Sequence, residues 1–477
     1  MKYILLSLFI IITASCFAQQ SKLSSLLSYK LLPGMPDSVY EGYYNVFENS
    51  SKSSGKKISL YIIVIPSINK TERPPIFMTE GGPGVSVTNG AAFYADPRNI
   101  YRQNNDVVLI DARGTGKSNP LHCFSLQQKE NLQEQMDEMY SKEKVKACYE
   151  LLSNENDLSQ YNTTNVVKDL EEVRKWLGYK KIHISGLSYG TKVCLQYVRM
   201  YPQVLASAVL WSPVPTYARM PLYHAKFAQQ ALEKIWQDCK ENSGCNQNYP
   251  NISTEFINLM QRWKQKPVTY IFEDSSGTEQ HVIISWDAFH SKLRSLMYTP
   301  AGVRTIPYIV HEAWENNLQP FIDLFPKGKG FNDFIAEGFY LCVTCMEDVP
   351  FIDPSQIALT AQYTFTGDYR VLQQIQACAN WSKAVVSKEF LLPVKSTVPT
   401  LIISGSFDPV TPTSWAKEIA KTLSNSTLVV IPYMSHLFDG LSNEDCFDNM
   451  VVDFITYSNN QKLQTGCVNE MKPPVYK

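Results

Sequence analysis

The sequence predicts an α/β protein in which a mainly parallel β-sheet is covered by helices on both faces and is interrupted by an inserted, mostly helical lid. Near both ends of the chain, short apolar segments rich in β-branched residues alternate with amphipathic helical segments. This alternation is typical of parallel strands joined by helical crossovers. Residues 216–390 lose the alternation and carry helical patches rich in aromatic residues and methionine, which predicts the lid.

The length of the chain, 477 residues, exceeds what one hydrophobic core normally supports. We predict a signal peptide over residues 1–18, a sheet domain built from residues 19–215 and 391–477, and the lid between its two parts. Lys and Arg (44) nearly balance Asp and Glu (45), and no long basic run occurs. The composition therefore gives no reason to expect nucleic acid or an anionic membrane surface as a partner.

The N-terminus has the pattern of an export signal. Lys2 precedes an apolar stretch over residues 3–12 that is too short to span a membrane, and small residues lead up to Ala18. We expect cleavage after Ala18 and a protein that is periplasmic or secreted. Cys16 follows Ser15 and leaves lipoprotein processing open, although Thr13 replaces the leucine usual for a lipid-anchored cysteine.

Ten cysteines remain after Cys16, and disulfides persist in exported proteins. Three plausible pairs join close neighbours in sequence: Cys123 with Cys148, Cys239 with Cys245, and Cys446 with Cys467. The sequence does not fix their connectivity. Cys342 and Cys345 form one C-x-x-C, for which a redox or metal site is the alternative to structural disulfides with partners such as Cys378. We favour the disulfides and expect no metal.

The individual elements follow from local patterns. Predicted strands cover residues 56–66, 75–78, 106–111, 181–185, 206–211, 399–404 and 427–432, and the first of these is rich in β-branched residues and ends at proline. Predicted helices carry apolar residues on one face; they cover residues 165–177, 191–199, 413–423 and 444–457. Residues 162–164 offer N-caps for the first of these helices.

The stretch between the strand over 181–185 and the helix over 191–199 predicts a nucleophile. Gly186-x-Ser188-x-Gly190 is the pattern of a serine on a sharp strand-to-helix turn. Small residues on both sides let the strand and the helix pass closely, and the helix N-terminus favours the negative charge that develops in acyl transfer. We predict Ser188 as the nucleophile.

A serine nucleophile needs a histidine base, and the base needs a carboxylate. His436 follows the strand over 427–432, whereas four of the other histidines lie in the predicted lid and two precede Ser188. Asp408 follows the strand over 399–404, so the order is serine, acid, histidine, as this type of turn requires. We predict Asp408 as the acid, with Asp439, Asp445 and Asp448 as fallback candidates.

Two glycine-rich loops follow predicted strands. Gly81-Gly82-Pro83-Gly84 can bring backbone N–H groups close to a ligand and is predicted to form part of an oxyanion hole. Gly116-Lys117-Ser118 is similar to the end of a phosphate-binding loop, but Asp111 stands where that motif requires glycine. We instead predict a tight turn held by a contact from Arg113 to Asp111 or to the backbone.

Taken together, these motifs resemble the α/β-hydrolase superfamily, and within it the exported peptidases related to prolyl and tripeptidyl aminopeptidases. The resemblance implies an α/β-hydrolase fold and an oxyanion hole from Gly82 and the Tyr189 N–H. It also implies that a lid carboxylate, Glu347, binds the amino end of the substrate. Glu80 stands where prolyl aminopeptidases often carry histidine, so the resemblance does not extend to strict proline specificity.

The predicted function is that of a serine aminopeptidase acting on short peptides, with no cofactor. A carboxylesterase or lipase-like enzyme with the same three residues is the alternative. A binding protein without catalysis is disfavoured, because such a protein is expected to lose members of the triad, and none is missing from this chain.

Overall fold

The structure is a computed structural model that describes residues 19–477 except residues 128, 130, 274–277, 326–334, 383, 385 and 459–462. The predicted signal peptide, with Cys16, lies outside the described residues. Within the described ranges, no helix is both long and apolar enough to cross a membrane.

The centre of the fold is a twisted sheet of nine strands in the order β1-β2-β3-β5-β4-β6-β7-β10-β11. The strands are β1 (Ser28–Lys30), β2 (Val39–Phe47), β3 (Lys57–Ile65), β4 (Ile76–Thr79), β5 (Val107–Ile110), β6 (Ile182–Leu187), β7 (Leu205–Trp211), β10 (Thr400–Gly405) and β11 (Ser426–Ile431). Neighbours from β5 to β11 pair in parallel, and β1, β2 and β3 form an antiparallel edge.

All seven predicted strands are present, as β3 to β7, β10 and β11, and the predicted fold class is confirmed. The sequence predicts no strand before residue 56, so β1 and β2 are additional. In β2, the residues in the middle of the strand are only half-buried or exposed. Its pattern therefore lacks the continuous apolar run that marks the parallel strands.

Helices lie on both faces of the sheet and in the lid. They are α1 (Ala91–Ala95), α2 (Phe124–Gln127), α3 (Leu132–Met136), α4 (Lys142–Ser153), α5 (Thr163–Leu177), α6 (Tyr189–Met200), α7 (Met220–Glu241), α8 (Ser243–Asn248), α9 (Ile252–Gln265), α10 (Trp286–Leu296), α11 (Pro300–Val303), α12 (Ile306–Trp314), α13 (Gln319–Ile322), α14 (Glu337–Glu347), α15 (Pro354–Ala361), α16 (Tyr369–Ala379), α17 (Thr413–Ala420) and α18 (Asp445–Tyr457). One core packs α5, α6 and α17 on one face of the sheet, and a second core packs α1 and α18 on the other.

The segment predicted as the lid contributes to two different cores. Apolar residues of α7, α9, α10 and α12 form a core of their own. Those of α14 instead join the core beneath α5 and α6, so this helix is part of the support of the sheet. The lid also contains an antiparallel hairpin, β8 (Val268–Glu273) with β9 (Glu279–Ile284), which the sequence did not predict.

Four disulfides are present: Cys123–Cys148, Cys239–Cys245, Cys345–Cys378 and Cys446–Cys467. The three predicted neighbouring pairs are therefore correct, and Cys345 of the C-x-x-C pairs with Cys378. Cys342 differs from the expectation because it is a buried thiol, as is Cys194. The Cys342 sulfur accepts a hydrogen bond from the Trp381 indole at 3.3 Å, which gives it a packing role.

Candidate active site

The predicted nucleophile lies on the turn between β6 and α6. Ser188 has a φ of +53°, a conformation that L-residues rarely adopt. The strand and the helix pass closely at the two flanking glycines, as predicted. A Cβ on Gly186 would lie 2.6 Å from the Gly190 carbonyl oxygen, and a Cβ on Gly190 would lie 2.5 Å from the Thr79 carbonyl oxygen. Ser188 is half-buried, while the strand before it and the helix after it are mostly buried.

The predicted acid and base are in direct contact. The Nδ1 atom of His436 lies 2.9 Å from Oδ2 of Asp408, and both residues are buried. The other carboxylate oxygen of Asp408 accepts the backbone N–H groups of Val410 and Thr411 at 2.7 and 2.8 Å. This arrangement fixes the orientation of the imidazole and leaves Nε2 as the nitrogen that can exchange a proton with a substrate or a nucleophile.

The end of β7 connects the loops that carry the three residues. The N–H of Ser188 donates to the Trp211 carbonyl at 2.9 Å, and the hydroxyl of Ser212 donates to the His436 carbonyl at 2.7 Å. The Thr411 hydroxyl, on the loop of Asp408, lies 2.9 Å from the Ser212 carbonyl. One backbone corner, Trp211–Ser212, therefore holds the serine, acid and histidine loops at the same edge of the sheet.

The electrostatics of Asp408 suit a carboxylate that stays ionised. Burial by itself would raise its pKa, but the charge of His436, its hydrogen bond and the two backbone N–H groups together lower the pKa below 3.8. Asp408 therefore presents a negative charge to Nδ1 of His436.

The first glycine loop borders the candidate nucleophile. A Cβ on Gly81 would lie 3.3 Å from the Ser188 Cβ, and Gly82 has a φ of +107° with Gly84 N only 2.6 Å from the place of its missing Cβ. Tyr189 is the first residue of α6, where backbone N–H groups lack intrahelical acceptors. The predicted oxyanion residues Gly82 and Tyr189 are thus on segments that adjoin Ser188.

The second glycine-rich turn supports the first. The Asp111 carboxylate accepts hydrogen bonds from the Ser86 hydroxyl at 2.6 Å and from the Lys117 N–H at 2.9 Å. Of the two contacts expected for Arg113, the one to Asp111 is wrong and the one to the backbone is correct. Arg113 forms two 2.6 Å bonds with Asp169 and donates to the Glu48 and Gln160 carbonyls. Asp169 lies on α5, so its approach to Arg113 depends on helix packing that the local sequence does not show.

The lid is attached to the loops of both the acid and the base. The N–H of Leu437 donates to the Tyr298 carbonyl at 2.8 Å, and the Tyr298 ring packs edge-on against the His436 ring with centroids 5.2 Å apart. On the acid side, Lys234 of α7 donates to the Ser406 carbonyl at 2.7 Å. These lid residues were not predicted, because their proximity to His436 and Asp408 arises only from the tertiary fold.

Glu347, the predicted anchor for an amino end, is fully buried at the end of α14. Its carboxylate accepts the Thr163 N–H at 2.7 Å and the Thr163 hydroxyl at 2.9 Å, and lies 3.7 Å from the Lys192 ammonium. Lys192 also contacts Asp348 at 2.9 Å. The carboxylate is therefore occupied by internal partners, and its role as an anchor stays a prediction.

Comparisons with known proteins agree with this geometry. A family model described as "alpha/beta hydrolase fold" matches residues 74–248, and one described as "TAP-like protein" matches residues 363–467. The chain has the α/β-hydrolase fold. In this α/β hydrolase the first match contains Ser188 and the glycine loop, and the second contains Asp408 and His436.

Among characterised proteins, the hydrolase is similar to the serine protease Hip1 of Mycobacterium tuberculosis, with 25% identity over 427 residues, 80% of this chain and 77% of that protein. It is also similar to the tripeptidyl aminopeptidase of Streptomyces lividans, with 26% identity over 250 residues, 48% of this chain and 45% of that protein. The fold and these relatives identify the chain as a serine hydrolase.

Of the fallback acids, Asp448 is engaged elsewhere in the hydrolase. It accepts a 2.7 Å hydrogen bond from the Tyr101 hydroxyl. Asp408 is the carboxylate that meets His436. The serine, the acid and the histidine, predicted in this order along the chain, therefore lie on three neighbouring loops.

Proposed function

We propose that this hydrolase cleaves short peptides from the free amino end, with Ser188 as nucleophile, His436 as general base and acid, and Asp408 as the group that orients His436. The observation that carries the proposal is the buried 2.9 Å contact between His436 and Asp408, on loops tied to the same backbone corner as the strained Ser188. The similarity to a serine protease and a tripeptidyl aminopeptidase supports a peptide as substrate.

The proposed reaction has two halves. His436 Nε2 takes the Ser188 proton as the oxygen attacks the peptide carbonyl, and the same proton then passes to the leaving amine as the carbon–nitrogen bond breaks. Water next attacks the acyl-enzyme, gives its proton to His436 and releases the acid, and Ser188 regains its proton. Backbone N–H groups of Tyr189 and Gly82 are proposed to hold the negative oxygen of each tetrahedral intermediate.

A serine-reactive fluorophosphonate tests the nucleophile. The purified protein should be labelled covalently, and Ser188→Ala should abolish the labelling because no other serine has an activated hydroxyl in this site. Ser185 is a suitable control, since it lies on β6 and is buried; Ser185→Ala should retain labelling. Absence of labelling in folded wild-type protein would overturn both the peptidase and the esterase proposals and would favour a binding protein.

A matched substrate panel tests the reaction class. Peptide anilides with a free amino end should be cleaved faster than their N-acetylated counterparts, and both should be compared with a short-chain ester by kcat/KM. Equal rates for free and acetylated peptides would contradict amino-end recognition. Cleavage of the ester alone would favour the carboxylesterase or lipase-like alternative.

Glu347→Gln tests the predicted anchor directly. If Glu347 binds the amino end, the variant loses the preference for free-amino peptides, mainly through a higher KM. A variant that keeps the full preference would instead assign Glu347 to the support of α5 and α6, where its carboxylate contacts Thr163 and Lys192. The ratio of kcat/KM for free and acetylated peptides separates the two roles.

The proposed location is the periplasm or the exterior. The four disulfides are compatible with an exported protein. Mass spectrometry of the mature N-terminus, expected to begin at Gln19, tests the signal peptide. A diacylglycerol-modified Cys16 would instead establish a lipoprotein.

A further inference from the structure

Arg294, on the lid helix α10, is a buried arginine beside the proposed base and acid. Its side chain is 7% exposed. One terminal nitrogen lies 3.5 Å from the Pro409 carbonyl and another lies 3.5 Å from the Tyr298 hydroxyl, while Nε has no hydrogen-bond partner among the described residues. A guanidinium carries five N–H donors, so these long contacts leave most of its hydrogen-bonding capacity unused.

The other buried arginines of the described chain have carboxylate partners. The ion pairs are Arg102 with Asp37, Arg113 with Asp169, Arg174 with Glu171, and Arg304 with Asp238. Arg294 differs, because no carboxylate among the described residues lies within 4.0 Å of it. A buried charge is strongly unfavourable when no opposite charge pairs with it. A bound anion would therefore stabilise the Arg294 guanidinium.

The surroundings of Arg294 reinforce this need. Its titratable neighbours include His224 and His290, whose pKa values are lowered, first by burial. Arg294 lowers both further, and Arg370 also lowers that of His224. These groups supply no negative charge to balance the guanidinium. The one carboxylate paired with them is Asp287, which contacts His290 at 3.0 Å, opposes the lowering of its pKa and is half exposed to solvent.

Arg294 is placed on the side of His436. Its guanidinium lies over the Tyr298 ring at 5.6 Å, and that ring packs against His436. Pro409, its backbone contact, directly follows Asp408. In the proposed reaction His436 gives a proton to the leaving amine, so the leaving fragment must lie against this side of the site.

We propose that Arg294 binds a carboxylate of the substrate, and that this carboxylate belongs to the leaving fragment. The inference rests on the proposed peptidase function and specifies its substrates as short anionic peptides. The Tyr298 ring lies 5.2 Å from the His436 ring and 5.6 Å from the guanidinium, and an extended residue spans about 3.5 Å, so up to about three residues bridge His436 and the guanidinium. The planar guanidinium matches a carboxylate with two parallel hydrogen bonds.

Two sources of carboxylate fit this position, the C-terminal carboxylate of a short peptide and an acidic side chain. Tetraalanine and its C-terminal amide form one substrate pair. The amide of Ala-Ala-Ala-Glu and that of Ala-Ala-Ala-Gln form the other. We expect wild-type kcat/KM to be at least about tenfold higher for the charged member of one pair, the range for hydrogen bonds to charged groups; the pair that responds identifies the source.

Variants of Arg294 carry the test. Arg294→Met should bring the ratio of kcat/KM for the charged and neutral members of the pair to within about twofold of one. Arg294→Lys should retain part of the preference for the charged member, because lysine keeps the charge but lacks the planar set of guanidinium donors. Arg262, an exposed lid arginine near Trp314, provides the matched control, and Arg262→Met should keep the wild-type ratio. A purely structural role for Arg294 would lower both members of each pair equally.

Binding measured without catalysis keeps this inference separable from the proposed function. On the Ser188→Ala background, calorimetry should show tighter binding of the charged member, and adding Arg294→Met should remove the difference. If wild-type protein cleaves none of these peptides but Ser188→Ala still binds them in this way, the peptidase proposal fails and the carboxylate site stands. Equal affinity within both pairs, or a preference that survives Arg294→Met, would overturn the site.

Discussion

Replacing Lys192 with methionine would test the buried charge cluster behind the candidate nucleophile. Lys192 lies on α6, four residues after Ser188, and its ammonium is 2.9 Å from Asp348 and 3.7 Å from Glu347. All three side chains are buried. Methionine keeps an unbranched apolar chain but removes the charge, so two buried carboxylates would remain without this ammonium.

Removing one partner of a buried ion pair destabilises a protein by about 3–5 kcal/mol, and we expect Lys192→Met to fall in this range at pH 8. Burial raises the pKa of Glu347 to about 7, although Lys192 opposes the shift. Because this pKa exceeds the ordinary value of 4.5, the native state binds the proton more tightly than the unfolded state does. The contribution of Glu347 to stability therefore falls as pH rises from 4.5 to 7, and the effect of Lys192→Met should be smaller at pH 6 than at pH 8.

Urea denaturation followed by tryptophan fluorescence at pH 6 and pH 8 measures these effects. Lys192→Met combined with Glu347→Gln should be more stable at pH 8 than Lys192→Met alone, since one unpaired carboxylate is removed. Lys421, exposed and paired with Glu418, is the control, and Lys421→Met should change the free energy of unfolding by less than about 1 kcal/mol. A Lys192→Met protein as stable as wild type at pH 8 would refute the description of this cluster.

Three further changes have defined outcomes. Asp408→Asn should lower kcat by about 10⁴-fold, as in other enzymes with this triad, because it stabilises the wrong imidazole tautomer; a loss under tenfold would contradict the proposed role. Gly190→Ala should reduce fluorophosphonate labelling and destabilise by about 1–3 kcal/mol, since its Cβ would lie 2.5 Å from the Thr79 carbonyl oxygen, whereas Gly466→Ala, with open space around it, should do neither. Replacing both Cys345 and Cys378 with alanine should lower the free energy of unfolding by about 3–4 kcal/mol, because the disulfide closes a 33-residue separation; an unchanged urea midpoint would argue against that bond contributing to stability.

The elements that carry Ser188, Asp408 and His436 could be predicted because each is encoded locally. Two glycines around a serine, and polar residues directly after β10 and β11, define loops whose common edge follows from the parallel sheet. The strands around them are short, rich in apolar residues and bounded by glycine, proline or polar residues, which favours strand over helix.

Other features depend on distant parts of the chain. Arg113 contacts Asp169 only in the folded protein, where α5 packs beside it. Glu347 likewise contacts Thr163 and Lys192 only when α14 packs against α5 and α6. Nothing near these residues in sequence identifies their partners. The same holds for Tyr298 and Arg294, which belong to no motif and lie beside the proposed site only because the segment with α10 packs against the loops of His436 and Asp408.

The attachment of Tyr298 to the His436 loop has a consequence for how such enzymes diversify. The residues following α10 contact the imidazole through Tyr298, and the hydroxyl of Ser435 donates to the Met297 carbonyl. Replacing the lid with that of a relative would therefore change part of the packing around His436 as well as the substrate contacts. A chimera designed for a new peptide therefore has to restore the packing of Tyr298 against His436 as well as the new substrate contacts.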